Sequence, residues 1–222
     1  MTKGIFIAID GPNGTGKSTA LKQAAISLRE SGYGVVETRE PGGTPLAEKL
    51  RTLLLDSSNE MDTMTQLLLF NAARRSHIQT VIDPNVAEGR IVLCDRFLPS
   101  SLVFQGLKPD GSEDLHYTTI LAAHDNYCLN RIPDLTIYLD APIHLRKKRI
   151  ANRAGAQADR FEEYDDAYDI AAANLFRKCA SILPGRSLKI DASGPPSDVA
   201  AAVQKGILKT LHHFANEADQ DL

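Results

Sequence analysis

Residues 7–19 read IAIDGPNGTGKST, an apolar run that changes abruptly into glycines, a lysine and hydroxyl residues. Gly11 is followed, after four intervening residues, by Gly-Lys-Ser at 16–18, which is the spacing of a loop that wraps around nucleotide phosphates. Glycines let such a loop aim its backbone N–H groups inward, and the following helix adds the positive end of its dipole. Because residues 4–10 have strand character and residues 18–30 have helix character, the setting that this motif needs is also predicted.

This loop predicts a site for ATP with a bound Mg²⁺. Lys17 is expected to reach the outer phosphates and to act in catalysis, and the Ser18 hydroxyl is expected to ligate the metal. A glycine-rich turn that matches the pattern by chance is the alternative, and the flanking strand and helix argue against it. The expected ATP-binding residues are Gly11, Pro12, Asn13, Gly14, Thr15, Gly16, Lys17, Ser18 and Thr19.

The composition favours small-molecule partners. The 222-residue chain has a formal net charge of −3, and it lacks a long basic tract, so we expect neither a nucleic-acid partner nor a membrane-surface partner. Cys94, Cys128 and Cys179 lie far apart without metal-type spacing, and we interpret them as reduced and buried. The N-terminus has no signal-peptide profile and no apolar run has the length of a membrane span, so a cytoplasmic protein is expected.

Strand-like runs alternate with helical patterns along the chain. This alternation predicts the α/β class, with a five-stranded parallel sheet and helices on both faces, and the phosphate loop makes it a P-loop NTPase fold. The length of the chain, without any linker-like segment, predicts a single domain, 1–222. Pro84 is expected to kink or end the helix predicted at 63–88. The predicted strands are 5–10, 34–38, 90–95, 135–140 and 188–190, and helices are predicted at 18–30, 44–55, 63–88 and 197–214.

Charged side chains follow the second and third predicted strands. Ligands of open α/β sheets bind beyond the carboxyl ends of the strands, so these side chains are expected in the site. Asp95 is a candidate for the Mg²⁺ shell, while Arg39 and Arg96 are expected to converge on a phosphate carried by the acceptor. A surface ion pair at a strand end is the alternative for Asp95 and Arg96.

Phe70 and Arg74 lie one turn apart on one face of a predicted helix. A ring beside a guanidinium can stack on a base and hydrogen-bond its edge. The pair is equally compatible with a core phenylalanine beside an arginine that snorkels towards solvent.

A basic segment precedes a run of small residues at 152–160, NRAGAQADR. Most charge runs are solvated helix faces, but a mobile lid at about residues 150–163 that carries arginines for the transition state is the functional interpretation. The basic residues are Arg146, Lys147, Lys148, Arg149, Arg153 and Arg160.

The chain resembles thymidylate kinases, the enzymes that phosphorylate dTMP to dTDP with ATP and Mg²⁺. Besides the phosphate loop, the segments that carry the resemblance are TREPGGTPLAEKLRTLLL at 38–55, LFNAARRSHI at 69–78, DRFLPSSLVFQG at 95–106, PDLTIYLD at 133–140 and DRFE at 159–162. Their order and spacing hold from about residue 4 to residue 190.

The resemblance implies a role for each matched residue, and a homodimer. Lys17 and Ser18 would serve ATP and Mg²⁺, and Asp95 would complete the metal shell. The implied dTMP-binding residues are Asn13, Arg39, Phe70, Arg74, Arg96, Ser101, Phe104 and Gln105, with Phe70 stacked on thymine and Arg74 bonded to its edge.

Members of this family place a catalytic arginine either in the phosphate loop or in the lid. Glycine stands at the loop position, Gly14, and the lid is basic, so the chain resembles the bacterial lid-arginine type. Arg149, Arg153 and Arg160 are then the catalytic candidates, with Lys17 and Arg96.

The sequence departs from the family at Asn13, where Asp or Glu is usual near the sugar 3′-OH. It also departs at Phe104, where tyrosine usually abuts the deoxyribose.

Two other functions remain open. One is a kinase of the same fold with another acceptor, such as dUMP or a deoxynucleoside without phosphate, and the other is an ATPase module that acts as a switch.

Overall fold

The computed structural model describes residues 4–152 and 165–220, with side chains described as far as residue 214. The strands of this part of the chain are β1 (Ile5–Asp10), β2 (Val35–Arg39), β3 (Ile91–Asp95), β4 (Leu135–Asp140) and β5 (Ser187–Asp191). All pair in parallel, in the order β2-β3-β1-β4-β5. The predicted five-stranded parallel sheet is therefore confirmed, with strand ends that shift by at most one residue.

Helices connect the strands and cover the sheet. Within the described residues they are α1 (Lys17–Glu30), α2 (Pro45–Leu55), α3 (Thr63–His77), α4 (Asp83–Ala87), α5 (Leu98–Phe104), α6 (Tyr117–Tyr127), α7 (Ile143–Ala151), α8 (Asp166–Ile182) and α9 (Pro196–Gln220). None of these helices combines the length and apolar character that a membrane span needs.

The sheet is buried on both faces, as a parallel sheet requires. Ile5, Ile7 and Ile9 of β1 point towards α1 and α9 on one side. The intervening Phe6 and Ala8 point to the other side, where they share a cluster with α3, α5, α6 and α8. Because consecutive strand residues alternate between faces, the continuous apolar run of β1 fills both halves of the core.

The helix predicted at 63–88 is interrupted earlier than expected. After α3 the chain forms a π-helical turn, Ile78–Ile82, whose two terminal isoleucines are buried. Pro84 then lies in the first turn of α4, where its missing N–H and fixed φ are tolerated. An interruption of the helix near Pro84 is therefore confirmed. It lies in the turn before the proline, where the proline ring would clash with the carbonyl four residues earlier in a regular α-helix.

Cys94, Cys128 and Cys179 are buried and unbridged, as predicted. Burial raises the pKa of the Cys128 thiol to about 11. Burial also raises the pKa values of the other two thiols far above the ordinary range. All three cysteines therefore contribute to the core as small apolar side chains.

Candidate active site

The phosphate loop connects β1 to α1 as its sequence predicts. Lys17 begins α1, is almost fully buried, and donates from Nζ to the carbonyl oxygens of Gly11 and Pro12 at 2.9 Å each. Burial, and then the charge of Arg96, lowers the pKa of Lys17 to about 7, although Asp95 opposes the shift. Anionic phosphates in this loop would favour the charged ammonium. The loop is thus shaped for an anion at the N-terminus of a long helix.

Gly14 has a steric reason to be glycine. Its φ is 78°, and a Cβ added there would lie 2.5 Å from the carbonyl oxygen of Arg146 on α7. Arg146 is itself fixed, because its guanidinium makes two 2.7 Å bonds to the carboxylate of Asp169 and donates to the Asn13 carbonyl at 3.4 Å. A side chain at position 14 would have to displace α7. Arg146, which the sequence groups with the lid, therefore supports the loop from behind.

Ser18 and Asp95, the predicted metal ligands, are adjacent. The Ser18 hydroxyl donates to the Asp95 carboxylate at 2.5 Å. Both offer the oxygen ligands that Mg²⁺ prefers. Among the described residues there is no group of three or more His, Cys, Asp or Glu side chains that could hold a metal by itself. The pair fits a Mg²⁺ ion that takes its other ligands from substrate phosphates and water.

Asp10 anchors Arg96, although the sequence patterns do not select it. The buried Asp10 carboxylate accepts hydrogen bonds from the backbone N–H groups of Phe97 and Ser100 at 3.0 and 3.1 Å, and from Arg96 Nη1 at 3.4 Å. Arg96 has φ 73°, an uncommon backbone conformation for a residue other than glycine, and these bonds fix it. Burial raises the pKa of Asp10 and the charge of Arg96 opposes this. A carboxylate that ends a buried strand, as Asp95 does, is the signal that could have identified Asp10.

A cavity of about 570 Å³ runs along the phosphate loop. Since β2 and β5 lie at opposite edges of the sheet, the side chains that follow these two strands mark opposite ends of the cavity. Near β2 the cavity is lined by Arg39, Arg51 and Arg96. Arg39 and Arg96 are the two residues predicted to bind the acceptor phosphate, whereas Arg51 is predicted only as part of the motif at 38–55. Near β5 it is lined by Arg149, Ile150, Ala192, Gly194, Pro196 and Val199.

All three guanidinium groups near β2 have partners, and that of Arg96 bonds to Asp10 as described above. Arg39, about half exposed, pairs with Glu48 at 3.0 Å, and Arg51 Nη1 donates to the Pro41 carbonyl at 2.9 Å. With Arg96 they place three positive charges at one end of the cavity. Arg51 could have been selected from its position in the motif at 38–55.

Arg149 lies at the opposite end of this cavity from Arg39. Its Nη1 donates to the Ala192 carbonyl at 2.8 Å and its Nη2 to the Gly194 carbonyl at 3.3 Å. These bonds attach Arg149 to the segment between β5 and α9. The other two predicted lid arginines, Arg153 and Arg160, lie outside the described residues, as does most of the predicted lid.

A smaller cavity, about 50 Å³, adjoins the first through Asn13, Glu40, Arg51 and Arg96, which line both. Phe70 and Arg74 line it from α3, and both are buried, so neither snorkels to solvent. The alternative interpretation, in which Arg74 extends past a core phenylalanine towards solvent, is therefore excluded.

Arg74 is held by four bonds. Its Nε donates to Glu40 at 2.7 Å, its Nη1 to the Asn71 side chain at 3.3 Å, and its Nη2 to the Ser101 hydroxyl at 2.9 Å and the Phe97 carbonyl at 3.3 Å. A guanidinium has five N–H groups. Within the described residues one N–H, on Nη1, therefore has no protein acceptor.

Gln105 and Phe104 complete the smaller cavity from the end of α5. Gln105 is fully buried, and neither its amide oxygen nor its amide nitrogen has a partner among the described residues. Phe104 packs edge-on against Phe176 at 6.2 Å, and the Arg96 guanidinium lies 5.2 Å from its ring centre. A buried amide without partners is expensive unless a ligand satisfies it, so this cavity is built for a polar ligand.

A phosphate loop with a second polar cavity beside it defines the class of P-loop proteins that hold two ligands next to each other, at least one of them a nucleotide. Within that class, residues 9–203 match the family model described as thymidylate kinase. The chain therefore belongs to the thymidylate kinase family.

Individual relatives agree with this family assignment. The chain is 39% identical over 209 residues to a thymidylate kinase of Rhizorhabdus wittichii, covering 94% of this chain and 99% of the relative. It is 40% identical over 201 residues to one from Pseudomonas savastanoi, covering 90% of this chain and 93% of the relative. It is also 40% identical over 214 residues to one from Geobacter sulfurreducens, covering 94% of this chain and 98% of the relative.

Proposed function

We propose that this protein transfers the γ-phosphoryl group of ATP to the phosphate of dTMP, which gives ADP and dTDP. Its membership of the thymidylate kinase family supports the assignment. The observation that carries it is the smaller cavity, where the unpartnered amide of Gln105 and the guanidinium of Arg74 lie next to the phosphate-loop cavity. ATP would occupy the larger cavity, and dTMP would extend from the smaller cavity to the three guanidinium groups.

The polar groups of the smaller cavity complement thymine. Thymine presents an N3–H donor between two carbonyl acceptors, while the Gln105 amide offers one acceptor and one donor and Arg74 offers one remaining N–H. Phe70 supplies a ring on which the base can stack. Cytosine has an acceptor at N3 and an amino group in place of O4, so it would leave buried groups unsatisfied and would bind more weakly. Ser101 contributes by fixing Arg74.

The remaining charged groups fit in-line phosphoryl transfer. Arg39, Arg51 and Arg96 would bind the dTMP phosphate, because guanidinium forks match phosphate oxygens. An oxygen of that phosphate attacks the γ-phosphorus, and the bond from phosphorus to the bridging oxygen breaks, so ADP leaves with the electron pair. A phosphate acceptor is already anionic and needs no general base. Lys17 would stabilise the charge on the moving group.

Ser18 and Asp95 are the residues that would hold Mg²⁺, which, when bound, neutralises charge on the phosphate oxygens. We also assign the whole chain, 1–222, to one kinase domain in the cytoplasm, with a lid at about 150–163. Arg153 and Arg160 are the lid arginines that we assign to the transition state, because Gly14 leaves no room for an arginine in the phosphate loop.

The test is a coupled assay of ADP release with a panel of acceptors. dTMP should be the best substrate, dUMP should follow, and dCMP should be poorer than dTMP by at least about tenfold in kcat/KM, the equivalent of one lost hydrogen bond. Removal of Mg²⁺ with EDTA should abolish turnover. Equal ADP release without any acceptor would identify an ATPase module instead, and a preference for thymidine over dTMP would identify a nucleoside kinase.

We propose further that the protein is a homodimer. Large apolar side chains are about half exposed on three helices that pack side by side: Leu46 and Leu53 on α2, Met64 and Leu68 on α3, and Tyr127 on α6. Apolar surface of this extent is typical of an interface. The variant Leu68→Glu should sediment as a monomer, whereas Ile26→Glu, on the exposed face of α1, should sediment as the wild type does. A wild-type monomer would contradict the proposal.

A further inference from the structure

A fully buried histidine, His77, lies on α3 one turn after Arg74. Neither His77 nor its neighbour Thr38 is among the described residues that line the two cavities. His77 therefore has no position from which to touch a ligand. Its bonds nevertheless lead directly to a group that does line the smaller cavity.

His77 is the middle of a chain of side-chain hydrogen bonds. Its Nδ1 lies 3.0 Å from Glu40 Oε1, and its Nε2 lies 2.6 Å from the Thr38 hydroxyl. The second oxygen of the same carboxylate, Glu40 Oε2, accepts from Arg74 Nε at 2.7 Å. The chain thus runs from Thr38, near the end of β2, through His77 and Glu40 to Arg74.

The charge state of Glu40 fixes the direction of these bonds. Burial would raise the pKa of Glu40, but the Arg74 guanidinium and the bond from His77 outweigh burial and hold that pKa below its usual range. An ionised carboxylate can only accept, so His77 Nδ1 is the donor. Each oxygen of Glu40 is therefore committed to one partner, His77 on one side and Arg74 on the other.

The backbone at Gly43 prevents this chain from rearranging. A Cβ added to Gly43, which has φ 81°, would lie 2.5 Å from the Thr38 hydroxyl and 2.7 Å from the His77 ring. The loop after β2 thus packs directly on both side chains. Neither can change rotamer without moving that loop, which also connects Arg39 to α2.

We propose that His77 is a positioning residue for the acceptor base: it holds Glu40 so that the Arg74 guanidinium presents its remaining N–H to the base. The proposal rests on the proposed function, since it assumes that the base lies in the smaller cavity. A histidine that merely fills the core would affect stability alone. A positioning residue must also change how the enzyme selects and binds the base.

Two substitutions separate the two bonds of His77. In His77→Asn the amide nitrogen stands at the place of Nδ1 and can still donate to Glu40. In His77→Gln the amide lies at the place of Nε2 and can reach Thr38 but not Glu40. Thr38→Val removes a hydroxyl with little change of shape, in a strand that favours β-branched residues. The matched control is His124→Asn, because His124 is also fully buried but its Nε2 is bonded to the Arg131 carbonyl at 3.0 Å.

The measurements are the KM values for dTMP and ATP, kcat, the ratio of kcat/KM for dTMP over dCMP, and the midpoint of thermal unfolding. His77→Gln should raise the dTMP KM by roughly 5- to 10-fold and lower the dTMP/dCMP ratio by a similar factor, the equivalent of about one hydrogen bond. Its kcat and ATP KM should stay within about twofold, because the phosphate groups are still held. His77→Asn should recover most of the dTMP KM, and Thr38→Val should raise it by about two- to threefold.

The control His124→Asn should lower the unfolding midpoint without changing the dTMP KM or the dTMP/dCMP ratio. Unchanged dTMP KM and base selectivity in His77→Gln and Thr38→Val would overturn the proposal, and so would a His77→Asn variant that is no better than His77→Gln. If His77→Gln does not fold, Thr38→Val decides. A wild-type protein that does not phosphorylate dTMP would instead contradict the proposed function, which keeps the two failures distinct.

Discussion

At the phosphate loop one continuous stretch, residues 13–20, supplies the groups that line the centre of the larger cavity. The smaller cavity instead draws polar groups from the segment after β2, from α2, from α3 and from α5. The first region works mainly through backbone geometry and a helix N-terminus. The second region works through side chains that are buried and bonded to each other before a ligand arrives. Two ligand sites that share a boundary therefore depend on different kinds of interaction.

This difference predicts how each region responds to substitution. Backbone N–H groups cannot be removed by a side-chain change, so the donor side should fail only at the few positions where a side chain bears the charge. On the acceptor side each buried group supports the next, so one change should affect both ligand binding and stability. The following predictions test this contrast.

Lys17→Ala should have the largest effect, a loss of kcat of at least about 100-fold, because it removes the cation that faces the moving phosphoryl group. Circular dichroism and the unfolding midpoint should change little, since the bonds of Lys17 within the described part of the chain go to two loop carbonyls. Lys22→Ala, an exposed position on the same helix, is the control and should behave as the wild type. Near-normal turnover in Lys17→Ala would mean that the loop is only a structural turn.

Arg74→Met should lower kcat/KM for dTMP by about 10- to 100-fold and also destabilise the fold by about 3–5 kcal/mol, because the Glu40 charge loses its main partner. The affinity for ATP should not change. Steady-state kinetics and denaturant unfolding measure the two effects.

The double variant Glu40→Gln with Arg74→Met separates these effects. It removes the buried charge, while the new amide can still accept the bond from His77. Much of the stability should return, but the activity towards dTMP should not. An activity that returns together with stability would show that Arg74 does not contact the base.

Arg149→Ala should raise the ATP KM by about 5- to 10-fold with little change in kcat, since Arg149 lines the end of the larger cavity near β5. Arg153→Ala and Arg160→Ala should do the reverse and lower kcat more than either KM, as expected for groups that act only in the transition state. If neither Arg153→Ala nor Arg160→Ala lowers kcat by more than a few-fold, the lid-arginine assignment is wrong.

Phe104→Tyr should have the smallest effect, a rise of roughly 2- to 10-fold in the ratio of kcat/KM for dTMP over the ribonucleotide of thymine. The added hydroxyl would crowd a ribose 2′-OH or leave it unpaired. The ring should keep its contacts with Arg96 and Phe176, so stability should hold. An unchanged or smaller ratio would show that other residues select the sugar.

Groups that are contiguous in sequence, or that end a strand, could be predicted without a structure. The phosphate loop is one continuous pattern, and Arg39 pairs with Asp95 in the parallel register of β2 and β3, so both lie at the same edge of the sheet. The continuous apolar run of β1 likewise predicts a strand buried on both sides. For these groups a local pattern is sufficient, because the fold class dictates where strand ends meet.

Residues whose structural role depends on a partner far away in sequence could not be predicted. Glu40 is a buried ion-pair partner only because α3 brings Arg74 and His77 against it, and Asp10 anchors Arg96 across 86 positions of sequence. The short α5, with Pro99 in its first turn, lacks a helical period long enough to detect. Pro84 predicts an interruption of the helix, but no local pattern predicts that the interruption takes the form of a π-helical turn.

The burial of all three thiols makes the molecule well suited to site-directed labelling. With their pKa values raised and their sulfur atoms enclosed by the core, Cys94, Cys128 and Cys179 should not react with maleimides while the protein is folded. A single cysteine introduced between residues 153 and 164 could then carry a fluorophore without any deletion of native residues. Its emission would report what that segment does when each substrate is added.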